Sequence, residues 1–230
     1  MKTKLLKICI LLWTFGIPAA QADDEPDFKG LLAEATSHLA SFGSHSQAEA
    51  IINLTGAAKS VIIIPDEIAA SLIVGYKRGT GAMFRRHGND WSDPVFLTFS
   101  KYGVGLQVGG SHNEVIIMVL TNKVADGLIN GVSNLGGSGG FALGSLGMGS
   151  SGGGSVGGGL EMFSVSTRAG LQLGGSIENT HVSPAEKFNR AAWGEDYDMK
   201  SILSKTGGEL ESAQELREAL VEATKKSFEM

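Results

Sequence analysis

The stretch "SVIIIPDEIAASLIVGYKRGTGAMFRR", residues 60–86, decides the fold class. Three runs within it, "SVIIIP" (60–65), "ASLIVGY" (70–76) and "TGAMFRR" (80–86), are rich in β-branched and aromatic residues. They are too short for buried helices, so each reads as a strand. "GTG" (79–81) reads as the turn of a hairpin, with Lys77 and Arg78 on one side and Arg85, Arg86 and His87 on the other. Downstream, "PVFLTF" (94–99), "VGLQVGG" (104–110) and "EVIIMVL" (114–120) continue the same signal.

Outside this block the pattern changes. Residues 28–59 carry Leu31, Leu32, Ala35, Leu39, Ile51, Leu54 and Ala58 at helical spacing, and "SFGSHS" divides them into two predicted helices. "TNKVADGLING" reads as a short helix with Thr121 as its N-cap. Residues 136–159 form a glycine and serine tract, in which Phe141, Leu143, Leu146, Met148 and Val156 recur. A flexible linker does not need those apolar positions, so glycine-rich strands and turns are expected there. Strand signals resume near Met162, and from Pro184 the sequence is polar and helical. The expected architecture is mainly β (α+β). It is an antiparallel β-barrel or sandwich with glycine-rich strands over 60–182, a helical lead-in over 28–59 and a helical C-terminal segment over 184–230.

One phrase occurs twice, "GLQVGGS" at 105–111 and "GLQLGGS" at 170–176. On a strand, alternation puts Leu106 and Val108 on one face and Gly105, Gln107, Gly109 and Ser111 on the other. The second copy sets Leu171 and Leu173 against Gly170, Gln172, Gly174 and Ser176 in the same way. A nearly bare face admits close packing of a neighbouring element, and it also suits a duplicated β unit with Gln107 and Gln172 at related positions.

The first 22 residues have the form of a secretory signal peptide: Lys2, Lys4 and Lys7, then "ICILLWTFGIPAA", then "AQA". Cleavage is expected after Ala22, leaving residues 23–230 as one periplasmic or secreted domain. The only cysteine, Cys9, lies in the leader, so the mature chain would hold neither disulfide nor thiolate metal site. The 19 Lys and Arg, less the leader's three lysines, against 24 Asp and Glu give a formal charge of about −8. An acidic chain without clustered cations is a poor nucleic-acid ligand.

Motifs for chemistry are weak. Gly-x-Ser-x-Gly occurs three times between Gly136 and Gly157, without the strand-to-helix turn that a nucleophile elbow needs. The five histidines are scattered without ligand spacing, and "WGEDYD" (193–198) lacks the ligand ladder of a calcium loop. No catalytic residue, metal or cofactor is expected. The basic cluster Lys77, Arg78, Arg85 and Arg86 is the one candidate anion or lipid site, against a plainer reading as charges that keep a hairpin edge from aggregating.

Eight segments, "AAKSVIIIP", "GYKRGTGAMF", "WSDPVFLTF", "GVGLQVGGS", "EVIIMVLTN", "NLGGSGGFALGSLGMG", "FSVSTRAGLQLGGSIE" and "AAWGEDYDMKSIL", follow one another in the order and spacing of the SYLF domain, also called the Ysc84 or DUF500 family. The chain resembles that family over nearly its whole mature length. The resemblance implies lipid association, since eukaryotic relatives are associated with phosphoinositide membranes and actin. Actin does not suit an exported protein. The expectation is therefore a non-enzymatic exported protein whose partner is a membrane lipid or an envelope component. The alternative is a periplasmic interaction protein that binds a protein or glycan without lipid.

Overall fold

The computed structural model describes residues 25–42, 48–71, 74–104, 109–130, 143–145, 162–168 and 180–229. Two helices, α1 (Phe28–Phe42) and α2 (Ala48–Ala57), precede strands β1 (Ser60–Ser71), β2 (Val74–His87), β3 (Asp90–Trp91), β4 (Val95–Val104) and β5 (Gly109–Val119). Then come α3 (Asn122–Ile129), β6 (Leu143–Ser145), β7 (Met162–Arg168) and β8 (Thr180–Pro184). The C-terminal segment holds α4 (Glu186–Trp193), α5 (Met199–Leu203), a 3₁₀ turn (Glu211–Ala213) and α6 (Gln214–Glu229). Both lead-in helices, the Thr121 cap of α3 and the helical C-terminus agree with the sequence reading; the Thr121 hydroxyl accepts the Val124 N–H at 3.4 Å.

The strands pair in the order β6-β7-β5-β1-β2-β4-β8, with β3 beside β2. Every pairing is antiparallel except β6 with β7. Setting aside the two-residue β3, the long strands β1, β2, β4 and β5 lie in the order β5-β1-β2-β4, a Greek key in which the fourth strand returns beside the first. Among the described residues the end strands β6 and β8 do not pair with each other, and the sheet's faces are covered by helices rather than by a second sheet. The α+β class with a dominant antiparallel sheet is as expected. Of the expected closed barrel or two-sheet sandwich, the described strands form neither.

The covering explains the continuous apolar runs. Val61 and Ile63 of β1 pack on one face with Phe84, Phe96, Ile116 and Met118, beneath Leu32 of α1 and Leu216 and Leu220 of α6. Ile62 and Ile64 point to the other face, with Met83, Leu97, Val115 and Ile117, beneath Val124 and Leu128 of α3 and Leu203 of α5. A strand buried on both faces has no solvent side to encode, so alternation disappears from its sequence.

Pro65 stands in the middle of β1, with β2 and β5 on either side. It can do so because the ladder shifts there by one residue against both neighbours, a bulge between Ile63 or Ile64 and Glu67. A bulge is where a strand tolerates a residue without an N–H. The same bulge corrects the expected hairpin. "GTG" is not a turn: Gly79 and Gly81 lie mid-strand, opposite Phe99 and Leu97 of β4, and the hairpin closes between Ser71 and Val74. A Cβ on Gly79 would meet Ile64 Cγ2 at 2.6 Å, and one on Gly81 would meet Ile64 Cγ1 at 2.7 Å. These glycines mark a close approach of the bulge to β2.

The predicted single strand over 104–110 is also corrected. Val104 ends β4 opposite Val74, whereas Gly109 begins β5 opposite Ser71, so the first copy of the repeat leaves one strand for another. Gln107 and Gln172 lie outside the described residues. So does the glycine tract apart from Leu143–Ser145, which is strand β6.

Candidate functional site

The basic cluster does not form one patch. Lys77 and Arg78 sit near one end of β2 and Arg85 and Arg86 near the other, about 24 Å away at strand rise. Lys77 Nζ meets Glu67 Oε1 at 3.1 Å on the neighbouring strand. Arg85 meets Asp126 Oδ1 at 2.6 Å and reaches Asn122 Oδ1 at 3.4 Å, tying β2 to α3. Arg86 donates to the Gly56 carbonyl at 2.5 Å, in the last turn of α2, where a cation complements the helix dipole. Burial pushes the Arg86 guanidinium below the usual arginine range. His87 Nε2 lies 2.9 Å from the Leu203 carbonyl of α5. Three of the four candidate cations thus hold elements together.

Arg78 differs. It is exposed, and among the described residues its guanidinium has no ion-pair partner. It lines a groove of about 520 Å³ between α1, the Pro65 bulge and β2, a size within the roughly 300–1,000 Å³ range of small-molecule sites. Ile68 and Phe188 supply apolar surface there, and Ile68 is 53% exposed, one of two large hydrophobic side chains left open among the described residues. Asp27, Glu34 and Asp66 line the same groove. The sequence reading found Arg78 but not this setting. Asp27 and Glu34 lie on and before α1, and only the packing of α1 over β1 and β2 brings them to the bulge.

A second, polar hollow of about 470 Å³ holds Glu186, Arg190, Glu195, Tyr197 and Asp198. Arg190 Nε meets Glu195 at 3.3 Å, and the Tyr197 hydroxyl donates to Glu186 Oε2 at 2.6 Å. Asp198 accepts the Lys200 and Ser201 N–H groups as the N-cap of α5. "WGEDYD" is a capped and paired turn. Trp193 anchors it through a 3.0 Å bond from Nε1 to the Pro94 carbonyl. Among the described residues no three His, Cys, Asp or Glu side chains could share a metal ion, and no described helix is long and apolar enough to cross a membrane.

Residues 100–223, from the end of β4 through α4 and α5 into α6, match a family model, Ysc84, described as "Las17-binding protein actin regulator". The chain belongs to the Ysc84 (SYLF) family. No curated protein matches it. The family match begins within β4 and ends within α6, so it covers about half of the central sheet and most of the helical C-terminal segment.

Proposed function

We propose that this Ysc84-family protein is exported, non-enzymatic and lipid-associating, acting at the cell-envelope surface. The observation that carries the reading is the groove in which exposed Ile68 lies beside the unpaired Arg78. Apolar surface next to a cation is what an amphiphile's tail and phosphate require. With the proposed leader and its three lysines removed, a net charge near −8 repels an anionic membrane at long range, so attraction must be local. Of the four cations proposed to face lipid, Arg78 is the one without an ion-pair partner among the described residues, and Lys77 on the opposite face of β2 adds positive potential at the same end. Arg85 and Arg86 serve this reading less directly, because Asp126 and the Gly56 carbonyl already occupy them.

Sedimentation of the mature chain with defined lipid vesicles tests the proposal. Binding is expected, weaker after Arg78→Glu or Ile68→Asp. If the protein stays in the supernatant with every lipid, the reading passes to the protein- or glycan-binding alternative.

A further inference from the structure

The geometry points to a zwitterionic aminophospholipid headgroup as the occupant of the groove, with its phosphate on Arg78 and its ammonium among Asp27, Glu34 and Asp66. This rests on the lipid reading above and narrows it. A purely anionic headgroup would satisfy Arg78 but would sit against three carboxylates in the same groove. A purely cationic ligand would satisfy the carboxylates and be repelled by Arg78. An uncharged apolar ligand would desolvate all four without pairing any, which is costly. A zwitterion pairs both sets.

The free hydrogen-bonding capacity fits as well. Asp27 gives Oδ1 to the Gly30 N–H at 2.7 Å and Asp66 gives Oδ1 to His112 Nδ1 at 2.8 Å, which leaves Oδ2 of each for a ligand. Glu34 accepts no hydrogen bond among the described residues and is exposed. An ammonium carries three donors, one for each carboxylate, whereas a quaternary ammonium carries none. The guanidinium fork matches two oxygens of a phosphodiester. Ile68 and Phe188 then meet the start of the acyl chains. Phosphatidylethanolamine combines these features, and phosphatidylcholine and phosphatidylglycerol each lack one.

The test is sedimentation of the mature chain with phosphatidylcholine vesicles, plain or doped with phosphatidylethanolamine or with phosphatidylglycerol. Binding should rise with the ethanolamine lipid and exceed that to the glycerol lipid. Arg78→Ala should weaken it about tenfold, the loss of one charge-assisted contact. Glu34→Lys, at an exposed position, should lower binding to the ethanolamine lipid and raise binding to the glycerol lipid. Melting curves establish that both variants fold. Stronger binding to phosphatidylglycerol overturns the zwitterion assignment but leaves lipid association standing. Ethanolamine-dependent binding indifferent to both substitutions overturns the groove. Absence of binding to every vesicle overturns this assignment and the lipid reading together.

Discussion

Asp93 and Arg217, far apart in the sequence, meet in a 2.8 Å ion pair beneath the C-terminal helix. The Asp93 side chain is 4% exposed, and its second oxygen accepts the N–H groups of Gly208, Glu209 and Leu210 at 2.8, 2.7 and 3.3 Å. Trp91 beside it accepts the Gly207 N–H at 2.9 Å and donates from its indole to Thr224 at 3.0 Å. "WSDP" is therefore the fastening by which the end of the chain is held to the sheet. Asp93→Ala leaves Arg217 and three backbone donors without their acceptor, and it should cost about 3–5 kcal/mol. Urea unfolding of variant and parent measures this; a cost below about 1 kcal/mol would mean that water replaces the carboxylate.

The contact of Gly81 with Ile64 predicts a second cost. A side chain at Gly81 has the Ile63 carbonyl 3.1 Å away as well as Ile64 at 2.7 Å, so relief requires the bulge itself to move. Gly81→Val should destabilise by about 1–3 kcal/mol, as overpacking does. If Gly81 were in a turn, as "GTG" suggests, valine would instead disturb only a loop. Gly81→Val paired with Ile64→Ala separates the two, because the double variant should regain part of the loss if the clash is the cause.

Strand existence was legible because β1, β2, β4 and β5 carry runs such as Val61–Ile64 and Val115–Val119 that must be buried wherever they go. Which faces bury them was not legible, since an all-apolar run has no polar side. The turn was misplaced for a local reason: Gly79 and Gly81 have turn composition but serve packing against a bulge set by Pro65, fourteen residues before Gly79. Asn189 was equally hidden. It reads as a polar helix residue, yet it is fully buried and bonds the Phe96 N–H and carbonyl, both at 2.8 Å, as a strand neighbour would. The candidate site was half legible: charge singled out Arg78, but the partners that distinguish it from Arg85 and Arg86 come from α1, α2 and α3, and no spacing rule links those helices to β2.

That distinction gives a third prediction. Arg86→Glu removes the bond to the Gly56 carbonyl and sets a carboxylate at a helix C-terminus, so it should lower stability by about 1–2 kcal/mol. Arg78→Glu, on an exposed side chain without an ion-pair partner among the described residues, should change stability by no more than about 0.5 kcal/mol while weakening lipid binding. Thermal melts run beside the sedimentation assay check both. Equal losses of stability would remove the basis for separating structural from lipid-facing arginines.

The last prediction concerns pH. Tyr197 is held above the ordinary phenol value of 10, at about 12, first by partial burial and then by its hydrogen bond to the Glu186 carboxylate and by that group's charge, with Arg190 opposing. The folded state keeps this proton more tightly than the unfolded one. The stabilisation is therefore complete below the unfolded value near 10 and is lost as pH rises through about 12. The chain has three tyrosines. Following tyrosinate absorbance in the native protein should show one phenol ionising near 12, absent in Tyr197→Phe. Glu186→Gln should bring that midpoint down only part of the way, because burial, the larger cause, remains. In urea the displaced transition should vanish in the parent chain, and stability between pH 10 and 12 should fall more steeply in the parent than in Tyr197→Phe. A native titration that shows no phenol displaced upward and is the same in Tyr197→Phe apart from the missing group would show that neither the burial of Tyr197 nor its Glu186 hydrogen bond persists in solution.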